Sequence, residues 1–106
     1  MSDVAVKSKS TTKSTTKNTL KAEEPKKFNV VFMNDNFTPM DFVIQLLQAQ
    51  FGHVPERAFE IMMEVHERGS GVAATLHFEL AEQKALECTY ISRQNGHPLE
   101  VKVKPA

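Results

Sequence analysis

The sequence predicts an α+β fold. It reads as a single small domain in the order β-α-α-β-α-β, with an antiparallel three-stranded sheet packed by three helices on one face. Three observations carry this expectation. Apolar residues stand at strand spacing near 28–33, 72–78 and 99–103; stripes of helical spacing fill the intervals; and Gly or Asn-Gly punctuates the helical stretches. At 106 residues the chain has room for one domain that buries a modest core without disulfides.

The first strand is the run Phe28-Asn29-Val30-Val31-Phe32-Met33, which Asn34-Asp35-Asn36 breaks with turn-forming side chains. Thr38 before Pro39 reads as a helix N-cap with proline at N1, and Asp41 suits the first turn of a helix dipole. Phe42, Val43, Leu46 and Leu47 recur at helical spacing up to Gly52. A second helix starts at Pro55-Glu56, with Ala58, Met62 and Val65 on one stripe and Phe59, Met63 and His66 beside it; Gly69-Ser70-Gly71 ends it. Val72, Ala74, Leu76 and Phe78 then alternate at strand period. Residues 80–95 form the third helix through Ala85, Cys88 and Ile91, with Leu86 and Tyr90, and Asn95-Gly96 stops it. In the last strand Leu99, Val101 and Val103 face one way and Glu100, Lys102 and Lys104 the other.

Residues 1–27 differ in kind. They repeat Ser-Thr-Thr-Lys over 10–17, show no sustained apolar period, and hold seven Lys against Asp3, Glu23 and Glu24, a surplus of four positive charges. Such a segment buries too little apolar surface to offset its ordering entropy, so it reads as a disordered extension ahead of a domain at 28–106. It lacks the apolar stretch of a secretory signal, and the absence of Arg weighs against a mitochondrial transit peptide. The body carries six basic against ten acidic residues, which argues against nucleic acid as its main partner. No stretch reaches the roughly 20 apolar residues of a membrane span. The lone Cys88 excludes an internal disulfide framework and fits a reducing compartment, the cytoplasm.

Catalysis finds little support. His53, His66, His77 and His97 are scattered without metal-ligand spacing, His66-Glu67 lacks the second His of the zinc-protease motif, and Cys88 falls on an apolar stripe. No Gly-rich phosphate loop, metal site or cofactor is expected. A polar cluster beside apolar side chains stands out instead: Asn34, Asp35 and Asn36 before the first helix, His66 on the second, and Met33, Met40, Met62 and Met63 between them. From the residues alone, two readings stay open. The polar groups form a turn and a boundary histidine while the methionines fill core, or the set lines an adaptable cavity.

The stretch Val31-Phe32-Met33-Asn34-Asp35-Asn36-Phe37-Thr38-Pro39-Met40-Asp41-Phe42-Val43 closely resembles the signature of the ClpS family, bacterial N-end-rule adaptors. The resemblance continues through Glu56-Arg57-Ala58, Met62, Val65-His66, Gly69, Glu79 to Lys84 and His97-Pro98-Leu99, and so spans residues 28–106 in order. It implies a non-catalytic adaptor that binds proteins with a free N-terminal Leu, Phe, Tyr or Trp and delivers them to the ClpA unfoldase of the ClpAP protease. An α-ammonium offers three donors and no acceptor, so its site must present oriented acceptors. The resemblance assigns that task to Asn34, Asp35, Asn36 and His66, with His66 offering a ring-nitrogen lone pair. By the same likeness the side-chain pocket is Thr38, Met40, Val43, Met62, Val65 and Leu99, with Met40 crowding out β-branched residues.

Glu79, Glu82 and Lys84 match the face that docks on the N-terminal domain of ClpA; read from the residues alone, they are the solvated start of a helix. The extension at 1–27 has the length of those that take part in handover, without a motif of its own. One position departs from the family, whose loop commonly reads Asn-Asp-Asp: Asn36 keeps an acceptor oxygen but lacks the charge. Two other readings compete. A non-catalytic interaction domain of similar architecture, such as a ribosomal stalk C-terminal domain, keeps the fold but gives Asn34 and His66 no reason to converge. A small metal-binding or hydrolytic protein using His66 and Asp35 requires metal uptake or turnover.

Overall fold

The computed structural model describes residues 26–106, so all but the last two residues of the expected N-terminal extension lie outside the described residues. Six elements follow one another: β1 (Lys27–Met33), α1 (Met40–Phe51), α2 (Pro55–Arg68), β2 (Ser70–His77), α3 (Phe78–Gln94) and β3 (Glu100–Pro105). Central β1 pairs antiparallel with β2 on one side and β3 on the other, giving the sheet order β2-β1-β3. The predicted α+β order is therefore the observed one. Val30 and Phe32 of β1, Ala73 of β2 and Leu99 share one core with Leu47 of α1, Ile61 of α2 and Ala81 and Cys88 of α3. All three helices thus cover the same sheet face. Among the described residues no helix is long and apolar enough to cross a membrane.

Three local expectations need correction. Thr38 does not cap α1. The helix begins at Met40, Pro39 occupies the cap position in extended conformation, and no side chain caps it. Thr38 is committed to Asp35 instead, through both its amide and its hydroxyl.

The alternation expected along β2 slips by one residue. The register places Val30 opposite Ala74 but Val31 opposite Val72, so Ala73 is extra and bulges. The bulge sends Ala73 into the core at 1% exposure and turns Val72 to the open face at 37%. Phe78, the expected end of this strand, opens α3 instead and packs edge-on against Phe28.

On α3 the buried line is Ala81, Ala85, Cys88 and Ser92. Leu86 and Tyr90, expected near the stripe, are 71% and 66% exposed. Small residues let the helix lie close to the sheet. The Ser92 hydroxyl donates to the Cys88 carbonyl at 2.7 Å, which satisfies a polar group that hydropathy alone would keep outside. Burial, helped by Glu87 and opposed by Lys84, pushes the Cys88 thiol up to about 12, so it stays a protonated packing group.

The junction of α2 with β2 is tight. Gly69 takes φ +91° as the left-handed cap of α2, and its amide donates to the Val65 carbonyl at 3.0 Å. Two residues on, Gly71 passes directly beneath the helix. A Cβ there would lie 2.9 Å from Val65 Cγ2 and 3.2 Å from the Ile61 carbonyl oxygen. Neither neighbour is a flexible chain end. Replacing Gly71 with Ala should therefore cost about 1–3 kcal/mol through overpacking, read as a lower urea midpoint at unchanged slope; an unchanged midpoint would show that the junction can open without cost.

Candidate binding site

The end of β1 and the end of α2 are tied together. Met33 pairs with Ser70, and the next amide, that of Asn34, donates to the Gly69 carbonyl at 2.9 Å. Because Gly69 caps α2, this bond sets the polar loop beside the last turn of that helix, where Val65 and His66 lie. Thr38 and Met40 enter from the other side as the chain turns into α1, with Val43 one turn further along.

The result is a cavity of about 230 Å³ lined by Asn34, Asp35, Asn36, Thr38, Met40, Val43, Met62, Val65 and His66. It is smaller than the usual site of a drug-sized molecule and suits a single large side chain. One wall is apolar, through Met40, Val43, Met62 and Val65. The rim is polar, through the loop residues and His66. Every lining residue belongs to the two sets that the sequence resemblance picked out as α-amino and side-chain contacts. Leu99, the remaining member of the pocket set, is not among the lining residues; it lies in the core at 1% exposure. Glu79, Glu82 and Lys84 sit apart on the first turns of α3, where Lys84 Nζ lies 3.6 Å from Glu87.

The rim residues divide into two kinds. Asp35 is an internal brace. Its Oδ1 accepts from the amides of Phe37 and Thr38, both at 2.7 Å, and its Oδ2 from the Thr38 hydroxyl at 2.8 Å. This is the local bonding by which Asp stabilises turns. Partial burial raises the carboxyl pKa, but the bonds from Thr38 and Phe37, with His97 nearby, outweigh it and hold the group below its ordinary 3.8. Asn34, Asn36 and His66 are exposed, so their polar atoms are open to a ligand at the rim. Their spacing in sequence gave no hint of this division; only the direction of the Asp35 carboxylate reveals it.

The two-layer α+β unit thus carries a dimple with room for one large side chain, apolar inside and edged by hydrogen-bonding groups. Residues 23–102 match the family model described as ATP-dependent Clp protease adaptor protein ClpS. A ClpS adapter from Bdellovibrio bacteriovorus is 40% identical over 80 residues, covering 76% of this chain and 70% of that protein. The Vibrio atlanticus ClpS adapter is 43% identical over 79 residues, 74% of each chain. Among solved structures, ClpS2 of Agrobacterium tumefaciens bound to L-phenylalaninamide aligns with a TM-score of 0.76 at 34% identity, covering 78% of this chain and all of that one. The chain belongs to the ClpS family. It is accordingly a non-catalytic adaptor of a Clp protease, and the stalk-domain and hydrolase readings fall away.

Removing the brace tests how the rim is built. Asp35→Ala should cost about 1 kcal/mol at neutral pH, the usual value of a lost cap-type carboxylate. A carboxyl with a depressed folded-state pKa stabilises above its ordinary 3.8 and loses that contribution as pH falls through the lower folded value. The stability gap between wild type and Asp35→Ala should thus be flat from pH 7 to about 5 and close below about 4. Thermal melts across that range would reveal it; a gap independent of pH would mean the carboxylate charge plays no part.

Proposed function

We propose that the chain recognises proteins through a free N-terminal Leu, Phe, Tyr or Trp and delivers them to the ClpA unfoldase of the ClpAP protease. The observation that carries this reading is the meeting of Asn34, Asn36 and His66 with Met40, Val43, Met62 and Val65 around one small cavity. The relative seen with L-phenylalaninamide supports it. That molecule joins a free α-amine, a benzyl side chain and a carboxamide, and so stands for the first residue of a chain with its first peptide group.

In this reading the side chain enters the apolar wall, where burying a Leu- or Phe-sized group contributes roughly 1.5–3 kcal/mol. The ammonium donates to a ring nitrogen of His66 and to the amide oxygen of Asn34, whose NH₂ is then free to face the first peptide carbonyl. Asn36 adds a neutral acceptor where a carboxylate would add charge. Asp35 keeps the loop in shape and lends its charge from behind. An acetylated terminus loses the ammonium donors, leaving acceptors unpaired at about 1–3 kcal/mol. Glu79, Glu82 and Lys84 on α3 form the docking face for the unfoldase, and residues 1–27 serve as the extension used in handover.

Fluorescence anisotropy with peptides beginning Leu, Phe, Ile and acetyl-Leu separates the two halves of the site. Leu and Phe should bind saturably, and Ile and acetyl-Leu at least tenfold more weakly. Equal binding of all four would remove the N-terminal reading. His66→Ala should weaken the Leu peptide roughly ten- to a hundredfold, the equivalent of losing a charge-assisted bond, with an unchanged melting temperature because the side chain is exposed.

Met40 tests the pocket itself. Its side chain is 42% exposed at the pocket wall, so Met40→Ala should fold normally and admit Ile and Val peptides. Continued rejection of Ile by that variant would place β-branched exclusion elsewhere.

A further inference from the structure

The outward face of α3 carries a second apolar feature that the pocket does not use. Counting around the helix at 100° per residue, Glu79, Glu82, Gln83, Leu86 and Tyr90 fall on one line, opposite the buried line of Ala81, Ala85, Cys88 and Ser92. Leu86 and Tyr90 are 71% and 66% exposed, among the most exposed large apolar side chains of the described residues. Beside them a shallow groove is formed by Leu86, Glu87, Tyr90 and Ile91 with Gln50 from the end of α1. Gln50 lines the groove, and its Oε1 is buried without a hydrogen-bond partner among the described residues. Glu87 is held along the groove by Gln83 at 3.0 Å and Lys84 at 3.6 Å.

We infer that Leu86 and Tyr90 extend the α3 docking face, seating an apolar side chain of the unfoldase N-terminal domain in the groove they form with Gln50. The inference rests on the reading of Glu79, Glu82 and Lys84 as that docking face, and continuity selects the partner. The acidic residues and the apolar pair follow one another at i, i+3 and i+4 spacing on one helix line, so a surface that meets the first half covers the second. The partner surface is correspondingly an apolar patch edged by Lys or Arg. An exposed Tyr at the centre of such a contact has the character of a binding hot spot.

The test compares full-length wild type with Leu86→Ser/Tyr90→Ser for binding to purified ClpA, and for binding to a Leu-initiated peptide. The double variant should bind ClpA at least tenfold more weakly while holding the peptide as wild type does, and Tyr90→Lys alone should show the same direction. Both variants change exposed side chains, and their melting curves confirm folding. Wild type and variants binding ClpA equally would overturn the inference and leave the adaptor reading standing. Wild type failing to bind ClpA while still binding the peptide would overturn the docking face and this extension together. A concentration-dependent dimer in wild type that the double variant abolishes in sedimentation equilibrium, with ClpA binding unchanged, would assign the groove to a second copy and equally overturn it.

Discussion

The bond from the Asn34 amide to the Gly69 carbonyl, 2.9 Å long, is the constraint on which the site depends. It closes the β1–β2 ladder one step past the last strand pair, at the residue where α2 turns left-handed. A non-glycine residue at φ +91° would resist that turn. With it in place, the loop after β1 and the final turn of α2 have nowhere to be but side by side. Gly71 adds the complementary condition, since only a residue without Cβ lets β2 leave so close under Val65 and Ile61. The pocket is therefore a by-product of how a helix hands over to a strand, fixed by backbone before any side chain contributes.

The rim separates holding from binding. A loop of three polar residues could collapse on itself, each satisfying the next. Here Asp35 absorbs the local donors, the amides of Phe37 and Thr38 and the Thr38 hydroxyl, and so leaves Asn34 and Asn36 uncommitted. A carboxylate is the right group for the brace because it offers two acceptor oxygens and no donor. In the proposed reading an amide is adequate at the rim, where the group would accept from an ammonium while staying solvated. Asn36 adds no charge to the loop, whose geometry rests on Asp35.

Much of this was legible in the sequence, and the failures share a cause. Element order followed from periodicity because the strands and helices have uniform faces. The residues that line the cavity all fall within the sets the resemblance names; from the residues alone, the methionines stayed open between core and cavity lining. What could not be read were the places where backbone geometry overrides pattern. The bulge at Ala73 inverts the facing of Val72, and no composition signal marks an extra residue in a strand. Thr38-Pro39 has the chemistry of a cap, but Asp35 three residues earlier competes for the same hydroxyl and wins. Leu86 and Tyr90 looked like core because they are large, whereas the close approach of α3 to the sheet demands the small Ala81, Ala85 and Ser92. Leu99, assigned to the pocket by the resemblance, is not among the cavity's lining residues and is buried in the core.

In the proposed reading, the arrangement also keeps the pocket rim apart from the acidic start of α3. Lys27 at the start of β1 pairs with His77, immediately before α3, whereas Asn34 follows its end. The acidic start of α3 and the pocket rim are therefore at opposite ends of a seven-residue strand, roughly 20 Å apart. A partner on Glu79 and Glu82 leaves the rim open. Yet α3 runs back along the sheet, and its far end returns to the site: Arg93 Nη1 donates to the carbonyls of His97 and Leu99, at 3.0 and 2.9 Å, and the His97 ring packs edge-on against Phe42 of α1. Asp35 itself is held chiefly by its bonds from Thr38 and Phe37, with His97 a minor neighbour. The C-terminal turn of α3 is thus packed, through Arg93 and His97, against the elements that border the cavity. In the proposed reading the two surfaces stand far enough apart to be occupied together, since Glu79 and Glu82 lie beyond the start of β1 and the rim follows its end.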